Sequence, residues 1–96
     1  MNYIYEDNRI YAKDEDGSLL AEVTFPEEKA DIVNIDHVYV NNKLRGRGIA
    51  SEIMLETYNY LKPKNKKVIA TCPYAVSWFK KHPEYQGILI NLDFEE

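Results

Sequence analysis

The chain has few of the features that direct a protein to a membrane, an oxidising compartment or a nucleic acid. Its single cysteine, Cys72, cannot form an internal disulfide, so a reducing cytoplasm is the expected location. No apolar run approaches the roughly 20 residues that span a bilayer, and the N-terminus lacks the basic and apolar stretches of a signal peptide. A net charge of −4 argues against a nucleic-acid partner, because such domains are usually basic. We therefore expect a cytoplasmic protein with no membrane segment and no nucleic-acid partner.

The length of 96 residues allows one hydrophobic core, so residues 1–96 are predicted to form a single domain. The hydrophobic pattern predicts the order β-β-β-α-β-α-β, with strands at 8–13, 19–25, 32–40, 67–71 and 88–94, helices at 48–61 and 73–81, and turns at 14–17 and 26–29. Because a strand–helix–strand crossover makes a parallel pair, this order predicts an α/β fold.

The stretch 32–40 is the longest β-prone run of the sequence. Its apolar residues cover both faces, which predicts one central strand that is buried on both sides.

The most informative segment is Arg45-Gly46-Arg47-Gly48-Ile49-Ala50, between that strand and the first helix. Two glycines allow a tight turn, and the helix N-terminus directs unpaired N–H groups at the same point, which favours a phosphate or pyrophosphate. The spacing does not fit a P-loop, which requires Gly-x-x-x-x-Gly-Lys followed by Ser or Thr. A dinucleotide fingerprint fits poorly, since Ser51 stands where a third small residue belongs.

Two motifs resemble the GNAT acetyltransferases. Arg45-x-x-Gly48-x-Ala50 is similar to the R/Q-x-x-G-x-G/A pyrophosphate loop of that family, and the segment 72–81 is similar to its N-x-x-A-x-x-φ-Y segment. Together with His37 and the segment 82–85 (His-Pro-Glu-Tyr), they resemble the short, single-domain YjdJ-type GNAT-like subgroup over roughly residues 8–90. The resemblance implies a minimal GNAT fold, with a mixed, mainly antiparallel sheet, a parallel β-α-β core and helices on the faces.

The same resemblance implies acetyl-CoA as the cosubstrate and no metal. Main-chain N–H groups of the loop would hold the pyrophosphate, and the edge of 38–40 would pair with the pantetheine arm as an added strand does. The implied cofactor-binding residues are Val38, Tyr39, Val40, Arg45, Gly46, Arg47, Gly48, Ile49, Ala50, Ser51, Tyr74 and Phe79. The alternative for the glycines is a plain tight turn into a helix.

The chain departs from the family pattern at two positions. Phe79 stands where the family often has a tyrosine, and a phenyl ring cannot donate a proton to the leaving thiolate. Cys72 stands where the family has asparagine. A thiol before a helix N-terminus, where negative charge is stabilised, suits a nucleophile that accepts the acetyl group or a donor to the departing thiolate. The alternative is a small, buried, inert cysteine.

His37 is the candidate general base, since imidazole can take a proton from an ammonium group near neutral pH. The alternative is a core histidine bonded to a neighbouring carbonyl. In a regular strand, Asp36 would point to the opposite face, although a bulge would change that. A backbone N–H near Val40 would stabilise the oxyanion.

The predicted function is N-acetyl transfer to an unknown amine, peptide or protein acceptor. The hairpin at 14–18 replaces the helices that partly build the acceptor site of a typical GNAT, so an open acceptor side is expected. The first alternative is a non-catalytic acyl-CoA binding or sensing module, and the second is a protein-interaction domain. For the segment 82–85 we expect a helix-ending, core-anchoring role, and for Trp78 and Phe79 a place in the core.

Overall fold

The computed structural model describes residues 1–90. The strands are β1 (Ile4–Glu6), β2 (Arg9–Lys13), β3 (Leu19–Thr24), β4 (Glu27–Lys29), β5 (Ile32–Ile35), β6 (His37–Val40) and β7 (Lys67–Ala70), and the helices are α1 (Ile49–Leu61) and α2 (Pro73–Lys81). Short 3-10 helices lie at Asn42–Leu44, Lys62–Lys64 and Pro83–Ile88.

The seven strands within residues 1–90 form two separate sheets. The first is antiparallel, in the order β1-β2-β3-β6, and the second has the order β4-β5-β7 with β5 and β7 parallel. α1 belongs to the crossover that leads back to β7, so the predicted α/β fold with antiparallel strands and a parallel β-α-β unit is confirmed. The hairpin between β2 and β3 is also confirmed, with Gly17 at φ 88° and its N–H bonded to the Asp14 carbonyl at 3.0 Å.

The prediction of one continuous strand over 32–40 is wrong, because the chain changes sheets at Asp36. The Asp36 N–H donates to the carbonyl of Thr24 at 3.3 Å, and the Thr24 hydroxyl donates to the Asp36 carboxylate at 2.6 Å. These bonds draw the chain toward β3, while the carbonyl of Ile35 still accepts from the Cys72 N–H at 3.1 Å. The residues before Asp36 therefore pair with β7, and those after it pair with β3.

Three other elements differ from the predictions. The predicted turn 26–29 contains β4, which pairs with β5. The sequence did not predict β1, because it is a short, exposed edge strand. The end of the predicted strand 88–94 lies outside the described residues, and Ile88 belongs to a 3-10 helix. Leu89 forms a parallel bridge with Val68.

Both helices bury the faces that their sequences predict. α1 buries Ile53, Met54, Thr57 and Leu61, and the Thr57 hydroxyl donates to the Ile53 carbonyl at 2.8 Å. α2 begins with Pro73, whose missing N–H is not needed in a first turn. Its Trp78 and Phe79 are 4% and 1% exposed, which confirms their predicted place in the core.

No helix in the described part of the chain is long and apolar enough to cross a membrane.

Candidate functional site

An opening separates the two sheets where β6 diverges from β7. The N–H groups of Thr71 and Cys72 both donate to the carbonyl of Ile35 at 3.1 Å, and the chain then turns into α2. Within residues 1–90, β6 is the last strand of its sheet, so one of its edges has no neighbouring strand there.

The main chain of β6 presents hydrogen-bonding groups to this opening. The N–H of Asn41 donates to the Leu20 carbonyl at 2.8 Å. Bonded residues alternate along an antiparallel pair, so the main-chain groups of Val38 and Val40 face away from β3 and toward the opening. A ligand with amide groups could pair with this edge as an additional strand.

A cavity of about 440 Å³ occupies the opening. It is lined by Val38, Val40, Leu44, Arg45, Gly46, Gly48, Ile49, Ala50, Ser51 and Tyr74. Its walls are therefore the free edge of β6, the glycine loop, the first turn of α1 and the first turn of α2. Nine of the twelve predicted cofactor-binding residues, Tyr74 among them, line this cavity, along with Leu44, which the motif did not identify.

The glycines of the loop adopt the conformation that the sequence suggested. Gly46 and Gly48 have φ values of 82° and 73°, which residues with a Cβ rarely adopt. Gly48 caps α1, and its carbonyl accepts from the Glu52 N–H at 3.0 Å. The N–H groups of Ile49, Ala50 and Ser51 precede this first helical bond and have no acceptor within the helix. They form a helix N-terminus at the cavity wall, an arrangement that suits an anion.

Tyr74 contributes a hydroxyl to the opposite wall. Its ring is 37% exposed, and partial burial raises the pKa of the phenol above its ordinary value. The hydroxyl therefore keeps its proton at neutral pH and remains available as a hydrogen-bond donor.

His37 lies on the outer face of the first sheet, and the interpretation of a core histidine is wrong. Its side chain is 50% exposed, with Nε2 lying 3.2 Å from Oε1 of Glu22. The second oxygen of that carboxylate accepts from Nε of Arg9 at 2.6 Å. Asp36 is exposed as well, because the break in the strand removes the alternation that would place it opposite His37.

Cys72 is buried, with 8% exposure, and its side chain belongs to the main hydrophobic core. It is the N-cap residue of α2, as predicted, but its side chain makes no capping hydrogen bond. Its main-chain N–H donates directly to the carbonyl of Ile35, at the point where the two sheets diverge.

Three predicted cofactor residues do not line the cavity. The side chain of Tyr39 is on the outer face with Glu22, so only its main chain belongs to β6's edge. Arg47 is exposed in the loop, and the side chain of Phe79 in α2 is buried in the hydrophobic core. In residues 1–90, no group of three or more His, Cys, Asp and Glu side chains could hold a metal ion.

A family model described as GCN5-related N-acetyl-transferase matches residues 9–88, which is most of the chain. The chain belongs to the GCN5-related N-acetyltransferase (GNAT) family. The match includes both motifs on which the resemblance depended, and it supports an acyltransferase. No curated protein matches the sequence.

Solved structures agree with this assignment. The chain is similar to a GCN5-like protein from Staphylococcus aureus solved by NMR, with a TM-score of 0.80 and 26% identity over 99% of this chain and 93% of that one. Tetrahymena GCN5 has a TM-score of 0.61 at 13% identity, covering 88% of this chain and 61% of its own. A ribosomal-protein-alanine N-acetyltransferase from Brucella melitensis biovar Abortus 2308 has a TM-score of 0.59 at 20% identity, covering 92% and 64%. The last two show the fold alone, and the chain spans less than two thirds of their length.

Proposed function

We propose that this GNAT protein uses acetyl-CoA to acetylate an amine. The observation that carries the proposal is the cavity in which the N-terminus of α1, two glycines with positive φ and the free edge of β6 meet. The anion-binding N–H groups of Ile49–Ser51 suit the pyrophosphate, and the guanidinium of Arg45 adds positive charge beside them. We also propose that the chain is of the YjdJ type and, with its single cysteine, resides in the cytoplasm.

The pantetheine arm would run along β6. It carries two amides, which match the main-chain groups of Val38 and Val40 at the open edge. The valine side chains and Leu44 supply an apolar wall for the methylene groups. Followed from the glycine loop, this path ends near the break at Asp36, where the thioester would lie.

Four groups could assist the chemistry. His37, half exposed and next to Asp36 in the chain, would take a proton from the acceptor's ammonium group, so that the neutral amine can attack the thioester carbonyl. The main-chain N–H of Val38, which faces the opening nearer to the break than that of Val40, would stabilise the oxyanion. Cys72 would accept the acetyl group or protonate the CoA thiolate, and Tyr74 supplies a protonated hydroxyl that Phe79 cannot.

The acceptor side is open, which fits a peptide, a protein or a small amine. Only the hairpin 14–18 connects β2 and β3, so this connection supplies no helix to cover the outer face. Glu22 and Asp36 lie on this side and would attract a cationic amine.

Two observations favour the alternative of a non-catalytic acyl-CoA binding or sensing module. The thiol of Cys72 is buried in the core, and Phe79 replaces the tyrosine of the family. A protein-interaction domain is the second alternative, and it predicts no affinity for CoA.

A thermal-shift titration with CoA tests the binding step. At a CoA concentration 100-fold above Kd, about 2.7 kcal/mol of stabilisation is expected, which for a domain of this size raises Tm by roughly 10 °C or more. Adenosine lacks the diphosphate and should have little effect. No shift with CoA would reject the proposal and favour the interaction domain.

Mass spectrometry and a CoA-release assay then separate the enzyme from the sensor. A covalent role for Cys72 predicts an acetyl adduct after incubation with acetyl-CoA, and its loss in Cys72→Ala at unchanged CoA affinity. A sensor predicts no CoA release with any member of a broad amine panel.

A further inference from the structure

A buried indole contacts the first turn of α1 from behind the cavity. Nε1 of Trp78 donates to the hydroxyl oxygen of Ser51 at 2.8 Å. Trp78 is 4% exposed, while Ser51 is half-buried and lines the cavity. The bond therefore joins α2 to the anion-binding N-terminus of α1.

The chemistry of the indole fixes the direction of this bond. An indole N–H can only donate, whereas a hydroxyl can donate one hydrogen bond and accept others. Ser51 must therefore accept from Trp78, and its own proton remains available. No hydrogen bond within residues 1–90 uses that proton, and Ser51 lines the cavity. An anion in the cavity would be a natural acceptor.

Aromatic rings hold the indole in position. Tyr85 stacks on Trp78 with ring centroids 5.3 Å apart at 12°, and the imidazole of His82 lies 4.7 Å from the indole. Tyr85 in turn meets the ring of Tyr58 of α1 edge-on at 4.7 Å. The segment 82–85 (His-Pro-Glu-Tyr) therefore has a structural role, because two of its rings pack against the Trp78 indole that donates to Ser51.

We propose that Trp78 is a positioning residue for the diphosphate of the acyl-CoA: by occupying one acceptor site of Ser51, it directs the Ser51 hydroxyl proton to a phosphate oxygen. This inference rests on the proposed function. Under this proposal, the Ser51 hydroxyl, which Trp78 of α2 orients, contacts the diphosphate in addition to the main-chain N–H groups of the loop.

A double-mutant cycle tests the proposal. Dissociation constants for CoA are measured for the natural protein, Trp78→Phe, Ser51→Ala and the double variant. A hydrogen bond to a charged phosphate predicts a loss of about tenfold for Ser51→Ala, and roughly threefold to tenfold for Trp78→Phe. The double variant should bind as weakly as Ser51→Ala, because Trp78 acts through that hydroxyl.

The cycle separates positioning from a general loss of structure. If Trp78→Phe weakened CoA binding equally in the Ser51→Ala background, Trp78 would act on the fold, and the proposal would be rejected. Unchanged CoA affinity in Ser51→Ala would reject it too. If the natural protein itself failed to bind CoA, the proposed function would be wrong instead. Urea unfolding of all four proteins identifies a variant that does not fold, and Trp78→Tyr, which keeps a large ring, then replaces Trp78→Phe.

Discussion

The two faces of β6 differ in how they are built. On the cavity side, the side chains of Val38 and Val40 share their face with the buried Val23 and Ala21, and the polar groups available at the open edge of the strand are main-chain groups. On the outer side, the side chain of His37 stands in solvent beside charged neighbours. The same strand therefore offers a backbone surface suited to a cofactor and a side-chain surface suited to chemistry.

This difference between main-chain groups and side chains indicates which substitutions each side of β6 should tolerate. A backbone surface depends on conformation and survives most side-chain replacements, whereas a side-chain surface changes its chemistry with one substitution. Substitutions on the outer face should therefore change the rate of transfer, and those in the glycine loop should change affinity.

The largest expected effect is that of His37→Gln on acetyl transfer. Loss of a general base lowers the rate about 100-fold or more, while CoA affinity should stay within about twofold because the cavity wall is unchanged. Steady-state kinetics with the best acceptor and a CoA titration measure the two quantities. Tyr11→Phe, which removes a hydroxyl from the same face, is the matched control. A variant with the full rate would remove His37 from the mechanism.

Arg45→Glu should have the next largest effect, and on affinity rather than rate. Replacing a cation that lines the cavity with an anion should weaken CoA binding by about 10- to 100-fold. Lys13→Glu makes the same change of charge at an exposed position on the outer face and should leave Kd nearly unchanged. Equal losses in the two variants would point to net charge rather than to contact at the loop.

Gly46→Ala tests whether the loop requires the positive φ that Gly46 adopts. Nothing lies within 4 Å of an added Cβ, so any cost comes from the φ of 82°, and it should be about 1–2 kcal/mol of unfolding free energy. Gly87→Ala is the control, because its surroundings are equally open and its φ is not positive; it should be neutral or slightly stabilising. Urea unfolding compares them, and equal stability of the two variants would mean that the loop relaxes.

The smallest effect concerns alkaline pH. A hydrogen bond to Glu56 raises the pKa of Tyr5 to about 12, and burial raises the pKa values of Tyr3 and Tyr74. Below pH 10 these phenols are protonated in both folded and unfolded chains. Above pH 10 the unfolded chain releases protons that the folded protein keeps, so stability should fall as the pH rises toward 12 and beyond. Tm measured from pH 8 to pH 11.5 checks this, and Tyr3→Phe should flatten the decline; a steeper decline would contradict it.

The side of the cavity that the glycine loop forms could be predicted from the sequence because its parts are local. Gly46, Gly48 and the first turn of α1 are adjacent in the chain, and their conformation follows from residue type. The two amphipathic helices were predicted for a similar reason, since a buried face repeats every three to four residues.

The remaining features depend on distant partners. The break at Asp36 results from bonds to Thr24 on one side and from the bond of Cys72 to Ile35 on the other, so residue types in 32–40 could not reveal it. β4 and β1 are short and polar or exposed, and they become strands only because a neighbour pairs with them. The bond between Trp78 and Ser51 likewise joins residues on different helices.

The measurement that tests the account most directly is an NMR titration of ¹⁵N-labelled protein with CoA. We expect the largest changes in amide shifts at Gly46, Gly48 and the first turn of α1, with smaller changes at Val38 and Val40. The amides of β1 and of the hairpin at 14–18 should not change. Changes confined to the outer face, or none at a CoA concentration that saturates a family member, would contradict the account.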